Sequence, residues 1–316
     1  MRLKRSDVPT RIGFGQGVLA AAQKNSNVVA LGADITSSVS LDFFKAAFPD
    51  RFFSLGIAEQ NCVGVAAGLA LSGKIPVFST YGVFSAMRPA DQIRISVCYN
   101  DVHVIIGGAH AGISVGPDGA THQALEDIAI VRVLPNMTLI SPCDATQARL
   151  ITEKAILNLK GPVYIRYGRE AVPDFTDESQ EIEIGKGELM RNGTDITIIS
   201  TGHLTWEALE AASILEKENI SARVINIHTI KPLDKDIIVK AACETGAIIT
   251  AEEHQIFCGF GSAVAEVVVN HCPVPMEFIG ICDSFGESGK PDELMEKYGL
   301  KASNIVNKAK GLLLRK

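Results

Sequence analysis

Short runs of Val, Ile, Leu and Phe alternate along the chain with longer segments whose apolar positions recur every three or four residues. That rhythm predicts an α/β fold built on parallel sheets with helices on both faces. In the first half the strand candidates are 28–31, 51–54, 76–79, 102–107, 137–140 and 163–166, with helices such as 59–72 and 145–157 between them. Asp144, ahead of Ala145-Thr146-Gln147 and after Pro142, reads as a helix N-cap. Between 171 and 187 the pattern lapses into Pro, Asp, Glu, Ser and Gly, which reads as a connection. A second, smaller α/β unit follows, with strands at 195–200, 222–227, 247–251 and 276–279. Its helices fall near 204–218, 234–245, 260–271, 290–298 and 302–315. The division expected is 1–175 and 186–316, joined by 176–185.

A length of 316 residues suits two domains, and 47% hydrophobic with 21% charged residues suits a globular protein with a generous core. The net charge of -6 argues against nucleic acid as the main ligand, so any anionic ligand must be held by a few local arginines. Seven cysteines are scattered without C-x-x-C spacing, which reads as reduced thiols, mostly small core residues. The N-terminal stretch is charged and lacks the apolar core of a signal peptide, and no apolar run has the length of a membrane span. A soluble, cytoplasmic protein is expected. Gly13-Phe14-Gly15-Gln16-Gly17 lies in a helical pattern with no strand before it, and no P-loop motif occurs, so neither nucleotide signature holds.

Three stretches carry candidate chemistry. In "FFSLGIAEQNCVGVAAGLALSG", Glu59 follows a strand and opens a helix. A carboxylate there complements the helix dipole. The small apolar residues that follow (Val63, Gly64, Ala66, Ala67, Gly68, Ala70) predict a buried helix, where such a carboxylate would be desolvated and need a partner. In "VFSTYGVFSAMRPADQIR", Tyr81 and Phe84 follow a strand end, the place where open α/β sheets bind ligands, although two aromatics taken alone are more often core than a cofactor platform. In "GGAHAGISVGPDGATHQALED", a Gly-rich loop carries His110, Asp118 and His122, with Asp118 near enough in sequence to orient the His122 ring. No metal-ligand spacing is present, and no metal held by this chain is expected.

With "LGIAEQN", "STYGVFSAMRPADQIR" and "DGATHQALEDIA" in that order, the chain resembles the C-terminal half of transketolases, with deoxyxylulose-phosphate synthases as near cousins. The resemblance spans a pyrimidine-binding domain (1–175) and a transketolase C-terminal domain, where "AEEHQIFCGFGSAVAE" and "DSFGESGKPDELMEKYGL" also look familial. It implies a thiamine-diphosphate enzyme that transfers two-carbon ketol units from a ketose, phosphorylated or otherwise anionic, to an aldose. Glu59 would hydrogen-bond N1′ of the aminopyrimidine and favour the imino form that takes the C2 proton. Tyr81 would stack on the pyrimidine and Phe84 line the same pocket. His110 and His122 would contact donor hydroxyls and the acceptor phosphate, Asp118 would select a hydroxyl, and Asp34 would lie in the substrate channel. Arg11, Ser38 and Arg169 fall where the family grips the sugar phosphate.

The family binds the diphosphate through Mg²⁺ on a Gly-Asp-Gly motif followed by Asn, and no Gly-Asp-Gly occurs in this chain. The resemblance therefore implies a separate N-terminal, diphosphate-binding subunit that supplies the Mg²⁺ ligands, in an α2β2 assembly. The C-terminal domain is expected to make oligomer contacts and to contribute no chemistry. The rival readings are the β subunit of a 2-oxo-acid dehydrogenase decarboxylase component and a non-catalytic pyrimidine-domain partner. The anion-gripping set Arg11, Ser38, His110 and Arg169 speaks against the first, and the retention of Glu59, Tyr81, His110, Asp118 and His122 against the second.

Overall fold

Continuous apolar runs form strands buried on both faces, as parallel sheets require. The computed structural model describes residues 4–316; residues 1–3, the start of the charged N-terminal stretch, lie outside the described residues. In the first half the strands are β1 (Ser6–Pro9), β2 (Val28–Gly32), β3 (Phe52–Ser54), β4 (Ile75–Tyr81), β5 (Ile105–Ala109), β6 (Thr138–Ile140), β7 (Val163–Arg166) and β8 (Ala171–Asp174). The second half adds β9 (Glu188–Arg191), β10 (Ile196–Ser200), β11 (Ala222–Asn226), β12 (Thr229–Lys231), β13 (Ile248–Gln255) and β14 (Met276–Ile281).

A seven-stranded sheet runs β12-β6-β7-β5-β4-β2-β3, a five-stranded one β14-β13-β10-β11-β9, and β1 pairs with β8. Every pairing in the larger sheet is parallel except β12 with β6. In the smaller sheet only β9 runs antiparallel. Helices cover both faces. Thr10–Lys24 lies so close to Ala145–Asn158 that a Cβ on Gly13 would sit 2.0 Å from the Ala145 carbonyl oxygen, and one on Gly17 2.6 Å from that of Arg149. The glycine series is thus a helix-packing surface. Asp144 caps the second of these helices, its Oδ1 accepting the Gln147 N–H at 2.8 Å.

Several expectations need correction. The stretch 171–187 is not all connection, because its first four residues form β8 and pair with β1. The C-terminal half supplies β12 as an edge strand of the first sheet, so the two halves share a sheet as well as a core. Cys243 and Cys272 are not free thiols but are joined in a disulfide, with Cα atoms 6.0 Å apart. Packing of helices Lys235–Thr245 and Phe260–His271 brings together residues that sequence spacing keeps 29 apart. Helix Glu59–Leu71 is buried on one side only: Glu59, Cys62, Val63, Ala66 and Ala67 pack inward, while Gly64, Gly68 and Leu71 face out. Among the described residues no helix is long and apolar enough to cross a membrane.

Candidate active site

Parallel register decides which side chains meet. Tyr81, the last residue of β4, is level with Ala109, the last of β5, so His110 emerges beside Tyr81. Gly32 of β2 is level with Ser79 of β4, and the loop leaving β2 carries Ser38 to the same end of the sheet. Arg169 leaves β7, which is paired with β5, and Arg11 lies in the first turn of helix Thr10–Lys24. The candidates thus gather at the carboxyl ends of adjacent parallel strands, where such sheets bind ligands.

Ser38 is the hub. Its Oγ lies 3.0 Å from the Tyr81 hydroxyl and 3.2 Å from His110 Nε2, and its carbonyl accepts Arg11 Nη1–H at 3.0 Å. The His110 ring lies 4.2 Å from the Tyr81 ring, centre to centre. His122 contacts both aromatics edge-on, at 5.7 Å from Tyr81 and 5.4 Å from Phe84. His110 is 1% exposed, has φ +53°, and its Nδ1 has no hydrogen-bond partner among the described residues. Left-handed backbone at a non-glycine residue is uncommon and clusters at functional sites. Burial, and then the charges of Arg11 and Arg169, lower the His110 pKa to about 3, with Asp118 opposing them. His110 is therefore a neutral imidazole near pH 7, able to hydrogen-bond a hydroxyl but bringing no charge to an anion.

Asp118 does not orient His122. Its carboxylate pairs with Arg169 Nη1 at 2.8 Å, and His122 Nδ1 lies 2.8 Å from the hydroxyl of its neighbour Thr121. The helical turn at Ile113–Asp118 carries Asp118 toward the strand that precedes Arg169, a partner 51 residues away. Asp34 is exposed, with φ +71°, and no hydrogen bond or ion pair links it to the other candidates.

Glu59 opens helix Glu59–Leu71 and is 5% exposed. Arg88 Nη1 donates to its Oε1 at 2.7 Å, and the Arg88 guanidinium lies 3.8 Å over the Phe84 ring. An open cleft beside this carboxylate is lined by Ile57, Ala58, Glu59, Gln60, Asn61 and Arg88. Sequence reasoning did not single out Arg88. The available signal was its spacing of four from Phe84, which puts a cation over an aromatic face on a helical turn. Among the described residues no group of three His, Cys, Asp or Glu side chains could hold a metal ion.

Residues 6–174 match the family model of the transketolase pyrimidine binding domain, and residues 185–305 that of the transketolase C-terminal domain. The chain is 42% identical over 299 residues to the 6-deoxy-6-sulfo-D-fructose transketolase subunit of Clostridium sp. (strain MSTE9), covering 95% of this chain and 92% of that one. It is 39% identical over 303 residues to an apulose-4-phosphate transketolase subunit of Phocaeicola vulgatus, covering 96% of each. A solved structure named as a split gene transketolase, inactive beta4 tetramer, superposes with a TM-score of 0.91 at 46% identity, over 97% of this chain and 99% of that one.

Proposed function

The chain belongs to the transketolase family, and from that premise we propose that it is the cofactor-activating subunit of a two-chain enzyme that moves a two-carbon ketol unit from an anionic ketose to an aldose. When bound, thiamine diphosphate supplies the electron sink for cleaving and forming the carbon–carbon bond. The observation that carries the reading is Glu59, a carboxylate 5% exposed at the mouth of a cleft beside an aromatic shelf. A buried carboxylate there fits the pyrimidine end of that cofactor: Glu59 would share a proton with the pyrimidine ring, Tyr81 would offer its face and Phe84 would line the pocket. Arg88 holds this carboxylate through Oε1.

We assign the diphosphate and its Mg²⁺ to a separate N-terminal subunit, in an α2β2 assembly. Three observations support a partner. The sequence lacks Gly-Asp-Gly. A Cβ on Gly64 or Gly68 would meet nothing within 4 Å, so one side of the Glu59 helix is open to a closely packed neighbour. Relatives matched over nearly their whole length are named as subunits, and a related split transketolase in a β4 tetramer is described as inactive.

In this reading neutral His110 and Ser38 hydrogen-bond sugar hydroxyls, Asp118 is held by Arg169 toward another, and His122 closes the aromatic side. Arg11 and Arg169 supply the positive charge that an acidic protein otherwise lacks for an anionic sugar, and exposed Asp34 stands at the channel rim. The sugars in the relatives' names, a sulfonate and a phosphate, are both anions of the kind two arginines suit. Mixing the chain with a diphosphate-binding subunit, thiamine diphosphate and Mg²⁺ tests the assignment. Ketol transfer should appear only in the mixture; activity of the lone chain, or a preference for pyruvate over every sugar, would overturn it.

A further inference from the structure

The Gly-rich loop that bears His110, Asp118 and His122 is fastened from outside the first domain. Its base is closed by the Gly112 N–H donating to the Ala124 carbonyl at 2.9 Å. Glu253, in β13 of the second sheet and 3% exposed, reaches across to it. One carboxylate oxygen of Glu253 accepts the Ser114 N–H at 2.6 Å, and the other lies 3.2 Å from His203 Nε2. The fit leaves no slack, because a Cβ on Gly112 would stand 2.1 Å from the Glu253 carboxyl carbon, and Gly112 has φ +90°.

Two further ties run the same way. Arg166 Nη2 donates both to the Ala124 carbonyl, at 3.1 Å, and to the Glu253 carbonyl, at 2.8 Å. Gln123, 2% exposed, donates to Ile113 O at 3.1 Å and to Glu287 O at 2.9 Å, joining the loop to the segment after β14. A buried carboxylate is expensive unless its oxygens are satisfied, and here the loop's Ser114 N–H satisfies one oxygen while His203 stands beside the other.

We propose that Glu253 is a positioning residue for substrate binding: the C-terminal domain uses its carboxylate to hold the 110–124 loop in the shape that aims His110 and Asp118 into the sugar channel. This gives the second domain a part in the reaction without touching substrate, and it rests on the substrate role assigned above to His110 and Asp118. Misplacing such groups by about 1 Å can lower turnover on the order of 100-fold, so a tenfold effect on sugar binding is well within reach. The hydrogen bond that holds Glu59 comes from Arg88, which is not part of the loop.

The test uses the assembled two-chain complex with thiamine diphosphate and Mg²⁺. The donor is whichever of D-xylulose 5-phosphate, apulose 4-phosphate and 6-deoxy-6-sulfo-D-fructose the wild-type complex turns over fastest. Glu253→Ala should raise KM for that ketose about tenfold while cofactor C2–H exchange, read in the same sample, stays within about twofold. Glu253→Gln, which keeps an oxygen for the Ser114 N–H, should recover most of the loss. Gly112→Ala, whose methyl would displace the Glu253 carboxyl, should reproduce the KM rise and serves if Glu253→Ala does not assemble. An unchanged KM in Glu253→Ala or Gly112→Ala overturns the inference, as does a parallel fall in C2–H exchange, which would mean general loss of structure. His110→Ala run alongside separates the two layers. If it raises KM and Glu253→Ala does not, only the positioning role fails; if His110→Ala also leaves KM unchanged, the substrate reading of the loop fails with it.

Discussion

Arg88 links the two ends of the site: its Nη1 donates to Glu59 Oε1 at 2.7 Å while its guanidinium covers the Phe84 ring at 3.8 Å. The carboxylate proposed to meet the cofactor is thus held by a cation that is itself nearly half exposed, with 45% of its side chain open to solvent. Such a pair is screened and exchanges partners at modest cost. Arg88→Ala in the assembled complex is expected to change kcat by less than about tenfold, the scale of one partly exposed ion pair. A loss beyond a hundredfold in steady-state turnover would assign Arg88 a direct part in the chemistry.

Arg169 is expected to act through charge. Arg169→Ala removes a guanidinium and frees Asp118 from its 2.8 Å pairing. KM for an anionic ketose or aldose should rise roughly 10–100-fold, matching the loss of one charge-assisted hydrogen bond. With glycolaldehyde, an uncharged acceptor, KM should barely move. Equal losses for charged and neutral acceptors would make Arg169 structural.

The open side of helix Glu59–Leu71 makes a separable prediction. Gly64→Leu and Gly68→Leu add side chains at positions where a Cβ meets nothing within 4 Å in the single chain, so its melting temperature should change little. Association with the diphosphate-binding subunit should weaken more than about tenfold, because a closely packed helix face does not tolerate added volume. Sedimentation of the mixed subunits checks this; full association of both variants would show that the face is not part of the contact.

Acid should destabilise the chain partly through His110. Its folded pKa is lowered to about 3, chiefly by burial, whereas an unfolded histidine titrates near ~6.5. Between those values the unfolded chain binds a proton that the folded chain does not. Stability is then lost as pH falls, by up to about 1.4 kcal/mol per pH unit, and is unaffected above about pH 7. His228 and His254, buried and lowered to about 4, act in the same direction. Urea unfolding of the wild type and His110→Gln at about pH 7 and about pH 5 should show the comparison shifting in favour of the variant at the lower pH. A constant difference would mean that His110 does not stay neutral in the folded chain.

The parallel α/β rhythm and most strand and helix positions could be read from the sequence, because strands such as β2 and β5 are continuous apolar runs buried along their length. What escaped depended on pairing between distant residues. The strand expected at 247–251 stops short of Glu252, Glu253 and His254, which are polar, yet all three lie in β13 and are buried with partners from other segments. The strand β12 has only three residues and gains its meaning from pairing with β6, some ninety positions earlier. At the site, the residue types and strand ends were legible, but the meeting of Tyr81 and Phe84 with His110 and His122 was not, because it depends on the register of β4 against β5. The partner of Asp118 was not, since a loop of irregular backbone fixes its direction, and sequence nearness to His122 pointed to the wrong one.

The most direct test of the account measures hydrogen–deuterium exchange at C2 of thiamine diphosphate in the reconstituted two-chain complex, comparing the wild type with Glu59→Gln. The variant keeps the shape of the side chain and the helix start but removes the carboxylate. The complex should still assemble, and exchange and kcat should fall together by about 10²–10⁴-fold, the range for loss of a general acid–base group. Exchange at the wild-type rate in an assembled Glu59→Gln complex would contradict it, and would leave Glu59 as a carboxylate that merely complements a helix dipole.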